Sequence, residues 1–141
     1  MLHYDIDRLP EIEGAEIVSH DKQDTPLNLS QIRFRAYEGG QTNPLLADIE
    51  EAFRVSGVSL NANHLEAMIE NKKLLPKEWR NKIHGERPCI FFWGTIYRDV
   101  RSGKRFVRYL TTYNGASWLA GKHFLCDRWF PFCLSAQWQL Q

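Results

Sequence analysis

Three cysteines and two histidines in the second half of the 141-residue chain, His84, Cys89, His123, Cys126 and Cys133, are the side chains best suited to metal binding or nucleophilic chemistry. On paper His123-x-x-Cys126 with Cys133, or with His84 and Cys89 upstream, makes a zinc site, because thiolate and imidazole are ordinary zinc ligands. The spacing argues against it. Residues three apart on a strand point to opposite faces, and no Cys-x-x-Cys occurs, so no metal is expected. A Cys–His nucleophile meets a related objection: Cys89 opens an apolar run and Cys126 and Cys133 lie among phenylalanines, where burial raises a thiol pKa and makes the group inert. The carboxylate pairs Asp5/Asp7 and Glu11/Glu13 fall in a polar arm and Glu50/Glu51 on the wet side of a helix, poor settings for acid–base work. Gly-x-Ser-x-Gly, Walker and Gly-x-Gly-x-x-Gly patterns are absent. The expectation is a protein that is not an enzyme, with no catalytic residues, no metal and no cofactor.

Two other constellations suit binding. Arg98, Arg101, Lys104, Arg105 and Arg108 alternate with Tyr97, Phe106 and Tyr109, the mixture of cations for phosphate and rings for bases that anion or nucleic-acid recognition uses. The competing reading is a solvated strand face whose arginines pair with acidic groups elsewhere. The five tryptophans are Trp79, Trp93, Trp118, Trp129 and Trp138. Indoles serve as core anchors or as contact surfaces; Trp79 and Trp93 suit a core, whereas Trp118 and Trp129, each beside a turn, fit either role.

These residues need a frame. A chain of this length with 43% hydrophobic and 13% aromatic residues fits one domain with one core. The strongest apolar run, Cys89 to Trp93, ends at Gly94, well short of the roughly 20 residues that cross a bilayer. The N-terminus resembles no signal peptide, and an odd number of cysteines fits a reducing compartment, so a cytoplasmic location without a membrane partner is expected. Charge is split: residues 1–70 hold 5 basic and 13 acidic groups, a balance of −8, and residues 71–108 hold 11 basic and 3 acidic, +8. Set side by side the blocks cancel; set on opposite faces they create one basic surface.

Residues 1–28, acidic and interrupted by Pro10, Gly14 and Pro26, read as a partly ordered arm ahead of a single domain over 29–141. The alternation of Ile32, Phe34 and Ala36 with arginines marks a strand ended by Gly39-Gly40. Thr42 or Asn43 before Pro44 starts a helix carrying Leu45, Leu46, Ile49 and Phe53 and closed by Gly57. A second helix starts near Asn61 or Asn63, with Asn63 and Glu66 as a capping box and Pro76 as its limit. Strands follow at 88–98, 104–113, 116–126 and 129–138, with Asn114-Gly115 as a type I′ hairpin turn and Pro131 placing the last strand at an edge or bulge. The expected fold is α+β: a single-domain antiparallel β-meander of about four C-terminal strands plus one earlier strand, with two helices packed on one face.

Leu60-Asn61-Ala62-Asn63, Leu75-Pro76-Lys77-Glu78-Trp79-Arg80 and Ile90-Phe91-Phe92-Trp93-Gly94-Thr95-Ile96-Tyr97-Arg98-Asp99, continued by Val107-Arg108-Tyr109-Leu110, resemble an uncharacterised family of small bacterial and metagenomic proteins, over about residues 29–138. Members of that family end in a Trp-rich segment similar to the variable region of diversity-generating retroelement proteins, whose variable side chains form a ligand-binding face. The resemblance implies a frame of Trp118, Leu125 and Trp129, with Leu119, Ala120, Gly121, Lys122, His123, Phe124, Asp127 and Arg128 as the intervening positions. The segment departs from the family pattern in being more apolar, with Phe124, Phe130, Phe132, Cys133 and Leu134.

The expected function is a non-enzymatic recognition module that binds a macromolecular partner through an aromatic and basic C-terminal sheet surface. Its ligand-binding residues are Trp118, Leu119, Lys122, His123, Phe124, Asp127, Arg128, Trp129, Phe130 and Phe132. The partner is a protein first, a glycan or nucleic acid next. The alternatives are a phage or mobile-element effector that inhibits a host defence complex or binds nucleic acid through Arg98, Arg101, Lys104, Arg105 and Arg108, and an enzyme with an unrecognised site.

Overall fold

The computed structural model describes residues 1–36, 46–83 and 85–139. Among them run seven strands and two helices: β1 (Ala15–His20), β2 (Ile32–Ala36), α1 (Leu46–Phe53), α2 (Ala62–Glu70), β3 (Cys89–Phe91), β4 (Thr95–Asp99), β5 (Arg105–Tyr113), β6 (Ser117–Phe124) and β7 (Cys133–Trp138). The expected turn at Gly39-Gly40 and the helix start at Thr42 to Pro44 lie outside the described residues, as does His84.

The fold is α+β and mostly sheet, but the simple meander is corrected. The strands form one curled half-barrel in the order β1-β4-β5-β3-β7-β2, with β6 on the other edge of β5. One local cause is a break in the aromatic string over 90–99. Its two parts, β3 and β4, share one edge of β5, pairing Ile90 with Leu110 and Tyr97 with Phe106. A second cause is β7, which runs parallel to β3, Cys89 opposite Cys133, and antiparallel to β2, Ile32 opposite Trp138. Pro131 therefore precedes a central strand instead of lying in an edge strand, because residues 129–132 turn before pairing begins. The Asn114-Gly115 turn has φ of 51° and 72° at its two central residues, the positive values that a type I′ hairpin needs.

The two helices also lie on opposite faces, contrary to expectation. Leu65 and Met68 of α2 pack with Ile90, Leu110, Trp118 and Leu134. Ile49 and Phe53 of α1 pack with Phe91, Val107 and Cys133. Adjacent strand residues point to opposite faces, so β3, β5 and β7 are apolar on both sides. The α2 capping box is set two residues earlier than Asn63 and Glu66, at Asn61 and His64: Asn61 Oδ1 accepts from the Asn63 and His64 backbone N–H groups, and His64 Nδ1 accepts from the Asn61 N–H (2.8 Å). An imidazole thus takes the part usually played by Glu or Gln.

The first 28 residues are built into this frame. β1 pairs with β4, Leu2 bridges Leu27 with both buried, and Trp138 Nε1 donates to Gln23 Oε1 (2.6 Å). Tyr97 Oη donates to the Pro10 carbonyl (2.6 Å) and Asn63 Nδ2 to the Arg8 carbonyl (2.8 Å).

Candidate functional site

The three motifs meet as architecture. Gly94 sits where the 90–99 string breaks; its N–H donates to the Leu60 carbonyl (2.8 Å), and its carbonyl accepts from the Asp21 N–H (2.7 Å). Thr95 Oγ1 accepts from the Ala62 N–H (2.9 Å) and is hydrogen-bonded to His20 Nδ1 (2.8 Å). Asn61 Nδ2 donates to the Asp21 carbonyl (2.9 Å). Leu60-Asn61-Ala62-Asn63 and Gly94-Thr95 therefore dock on each other and on the N-terminal segment. Trp79, from the third motif, meets Phe34 edge-on at 5.0 Å, and the Arg80 guanidinium lies 5.6 Å from the Trp118 ring centre. These interlocking contacts give the three motifs a structural role.

All five indoles are buried. Trp118, 2% exposed, lies under the α2 side of the sheet, and Trp129, 0% exposed, is sealed on the α1 side. Trp129 belongs to no strand. The loop over 125–132 folds back across the sheet, and its indole packs on Phe53, Phe91 and Trp93 at 4.8–5.9 Å and donates Nε1 to the Leu125 carbonyl (3.2 Å). As contact residues Trp118 and Trp129 are thus replaced by core roles. The other expected positions are mixed. Leu119, Lys122, Asp127 and Arg128 are exposed, and His123, Phe124, Phe130 and Phe132 are half-buried. Lys122 lies 5.1 Å and 5.7 Å from the Phe106 and Phe124 ring centres, and Phe130 stacks on Phe132 at 5.2 Å. The His123 ring faces Trp129 at 4.4 Å with Nε2 bonded to the Arg128 carbonyl oxygen (2.9 Å); burial lowers its pKa.

The basic hairpin is dispersed. Arg105 pairs with Glu50 and Arg108 with Glu66, each pair partly shielded, and Arg98 stands opposite Glu16 in the β1–β4 register. Arg98, Arg101 and Lys104 stay exposed, with Lys104 following the turn that Asp99 closes by accepting from Ser102 N and Oγ. The fold thus interleaves the acidic and basic blocks, and self-neutralisation reduces any single-sign field.

Among the described residues the thiols do not converge with histidines. Cys89 and Cys133 face each other across β3 and β7, and burial raises both pKa values, that of Cys133 to about 12. Protonated thiols are poor nucleophiles. Cys126 is exposed. Among the described residues no three His, Cys, Asp or Glu side chains gather closely enough to hold a metal ion, and no helix is long and apolar enough to cross a membrane.

What the sequence pattern did not mark is the upper half of the α1 face, which α1 and the 125–132 loop leave open. Residues opposite each other on antiparallel strands share a face, so Tyr109, Thr111 and Tyr113 of β5 lie beside Gly121, Leu119 and Ser117 of β6. Tyr113 is 65% exposed and Leu119 37%, the large apolar groups of this hairpin that reach water. The phenol end of Tyr109 lies across Gly121, where a Cβ would come within 2.5 Å of the ring. Beside this strip opens a cavity of about 370 Å³ lined by Lys82, Glu86, Arg87, Cys89, Thr111 and Thr112. Tyr113 precedes a strong turn signal in a strand apolar on both faces, so alternation alone could not show which ring is wet.

Compared with known proteins, the chain matches no family model, no curated protein and no solved structure.

Proposed function

We propose that the chain is a non-enzymatic recognition module that holds an extended segment of a protein partner on the open half of the α1 face. The observation that carries this reading is the pairing of exposed Tyr113 and Leu119 with half-buried Tyr109 on one rigid hairpin. Tyrosine supplies contact area at little entropic cost and is enriched at interaction hot spots. Glycine at 121 lets the Tyr109 ring lie low, which keeps the strip shallow enough for another chain to lie along it.

The arrangement of residues 117–128 favours the same reading. The frame positions Trp118, Leu125 and Trp129 are in the core, while Leu119, Lys122, Asp127 and Arg128 face water. A fixed apolar frame with replaceable outward side chains is what a scaffold of the retroelement-variable type needs, because substitutions between the anchors leave packing intact. The nucleic-acid alternative loses support from the two ion pairs that engage Arg105 and Arg108.

The test is selection from a random-peptide library displayed on phage. The wild-type protein is expected to enrich peptides that bind saturably and whose affinity hardly changes with salt, as an aromatic contact predicts. A Tyr113→Ser/Leu119→Lys double variant, altered only at exposed positions, is expected to fold normally and lose at least about tenfold in affinity, corresponding to about 1.4 kcal/mol or more. Selected peptides that bind the double variant equally well would remove this face from the account.

A further inference from the structure

The cavity beside the strip has an unusual balance of groups. Lys82 and Arg87 line it, and neither has an ion-pair partner among the described residues. Among the described residues Arg87 makes two side-chain contacts, to the Thr112 carbonyl (3.5 Å) and to Asn114 Oδ1 (3.2 Å), which leaves most of its five N–H donors unused. Glu86, exposed in the lining, is one negative charge against two positive ones.

The wall behind adds a second, independent observation. Thr112 lines the cavity, is only 5% exposed, and has no partner for its hydroxyl. Its cross-strand neighbour is Trp118, whose indole Nε1 also lacks an acceptor. Arg80, whose guanidinium lies over that indole, has an unpartnered buried Nε. Most buried polar groups are satisfied; of these three only the Thr112 hydroxyl belongs to a residue of the cavity lining, the Trp118 indole lying on the α2 side of the sheet. A cavity near 400 Å³ is within the usual range for small-molecule sites.

We propose that this cavity is an oxyanion site that takes a carboxylate or phosphate group between Lys82, Arg87 and the Thr112 side of β5. The guanidinium fork is built for two parallel hydrogen bonds to such a group, and the ammonium adds a movable second charge. Cys89 and Thr111 give the ligand a small, mainly uncharged floor, since burial keeps the Cys89 thiol protonated. This site adjoins the peptide strip at Thr111 but makes no use of Tyr113 or Leu119, so it does not rest on peptide binding.

The experiment is a backbone-amide NMR titration of the full chain with sodium phosphate and, separately, sodium N-acetylglutamate, at ionic strength held constant with sodium chloride. Saturable shifts at Arg87, Thr111 and Thr112 are expected for at least one of them, and which one saturates identifies the phosphate or the carboxylate source. Lys82→Gln and Arg87→Gln are each expected to weaken the response at least about tenfold, the loss of one charge-assisted hydrogen bond. Lys82 is exposed, so its variant keeps the test valid if the Arg87 variant folds poorly. Shifts that do not saturate, that chloride alone reproduces, that centre on Arg101 and Lys104, or that survive Lys82→Gln would overturn the proposal. Unchanged anion binding by a Tyr113→Ser variant, which adds no charge beside the cavity, separates this site from the peptide strip.

Discussion

Gly94→Ala is expected to unfold the protein or lower its stability by about 3 kcal/mol or more. The reason is close approach, not backbone freedom. A Cβ at this position would lie 2.8 Å from the Leu60 and Ser59 carbonyl oxygens and 2.9 Å from the Asn61 Cα. All three are backbone atoms, and both neighbouring segments are held: Gly94 by hydrogen bonds to Leu60 and Asp21, and Leu60 by its N–H to the Ala136 carbonyl (3.0 Å). Nothing can yield without breaking the contact between α2 and the sheet. Gly121→Ala is the informative contrast, because its Cβ would meet the far end of the Tyr109 side chain, which can swing aside. Urea unfolding midpoints should therefore drop sharply for the Gly94 variant and little for the Gly121 variant. Equal effects would mean that the α2–sheet joint is looser than described.

Mild acid is expected to destabilise the fold through His64. Its ring is fully buried, edge-on to Tyr4 at 4.6 Å and to Trp138 at 5.4 Å. Burial, and secondarily the nearby His20, push its pKa down to about 3. The unfolded chain takes up a proton near pH 6.5, whereas the folded chain refuses it until about pH 3, so the unfolded state binds more protons throughout that window. Stability is therefore complete above about pH 6.5 and falls as pH drops, by up to about 1.4 kcal/mol per unit. His20 and His123, also lowered mainly by burial, act in the same direction; Asp21 opposes the shift at His20, and Asp127 and the Arg128 carbonyl oppose it at His123. His64→Gln keeps an acceptor for the Asn61 N–H and so preserves the capping box. It is expected to flatten the dependence of unfolding free energy on pH between about pH 7 and pH 5 while costing some stability at pH 7 from lost ring contacts. A slope unchanged in this variant would assign the acid sensitivity elsewhere.

How much of this was readable in the chain depended on whether a signal was local. The Asn114-Gly115 turn, the start of α2 near Asn61 and the alternation of β2 are local, and each recurs in the structure. The curl is not local. It depends on β7 choosing β3 and β2 as neighbours and on β1 closing the far edge, pairings that join residues about 40 to 100 positions apart. Strand β5 shows the same limit at the level of single side chains. Phe106 and Leu110 face α2, and Val107 and Tyr109 face the other side, so the run reads as apolar throughout and conceals that Tyr113 reaches water. Trp129 was unreadable for another reason: it lies in a loop, where no period tells inside from outside. The role of the three motifs could be inferred only after folding placed Asn61 beside Asp21 and Gly94 beside Leu60.

The account turns on where the indoles are, because a recognition surface made of Tyr109, Tyr113 and Leu119 follows only if the tryptophans serve the core. Acrylamide quenching of tryptophan fluorescence measures this directly and, being neutral, the quencher is indifferent to the basic cavity. The native chain is expected to be quenched only weakly, with full quenching appearing when urea unfolds it. Strong quenching of the native chain, close to that of the unfolded one, would place indoles at the surface and contradict the account.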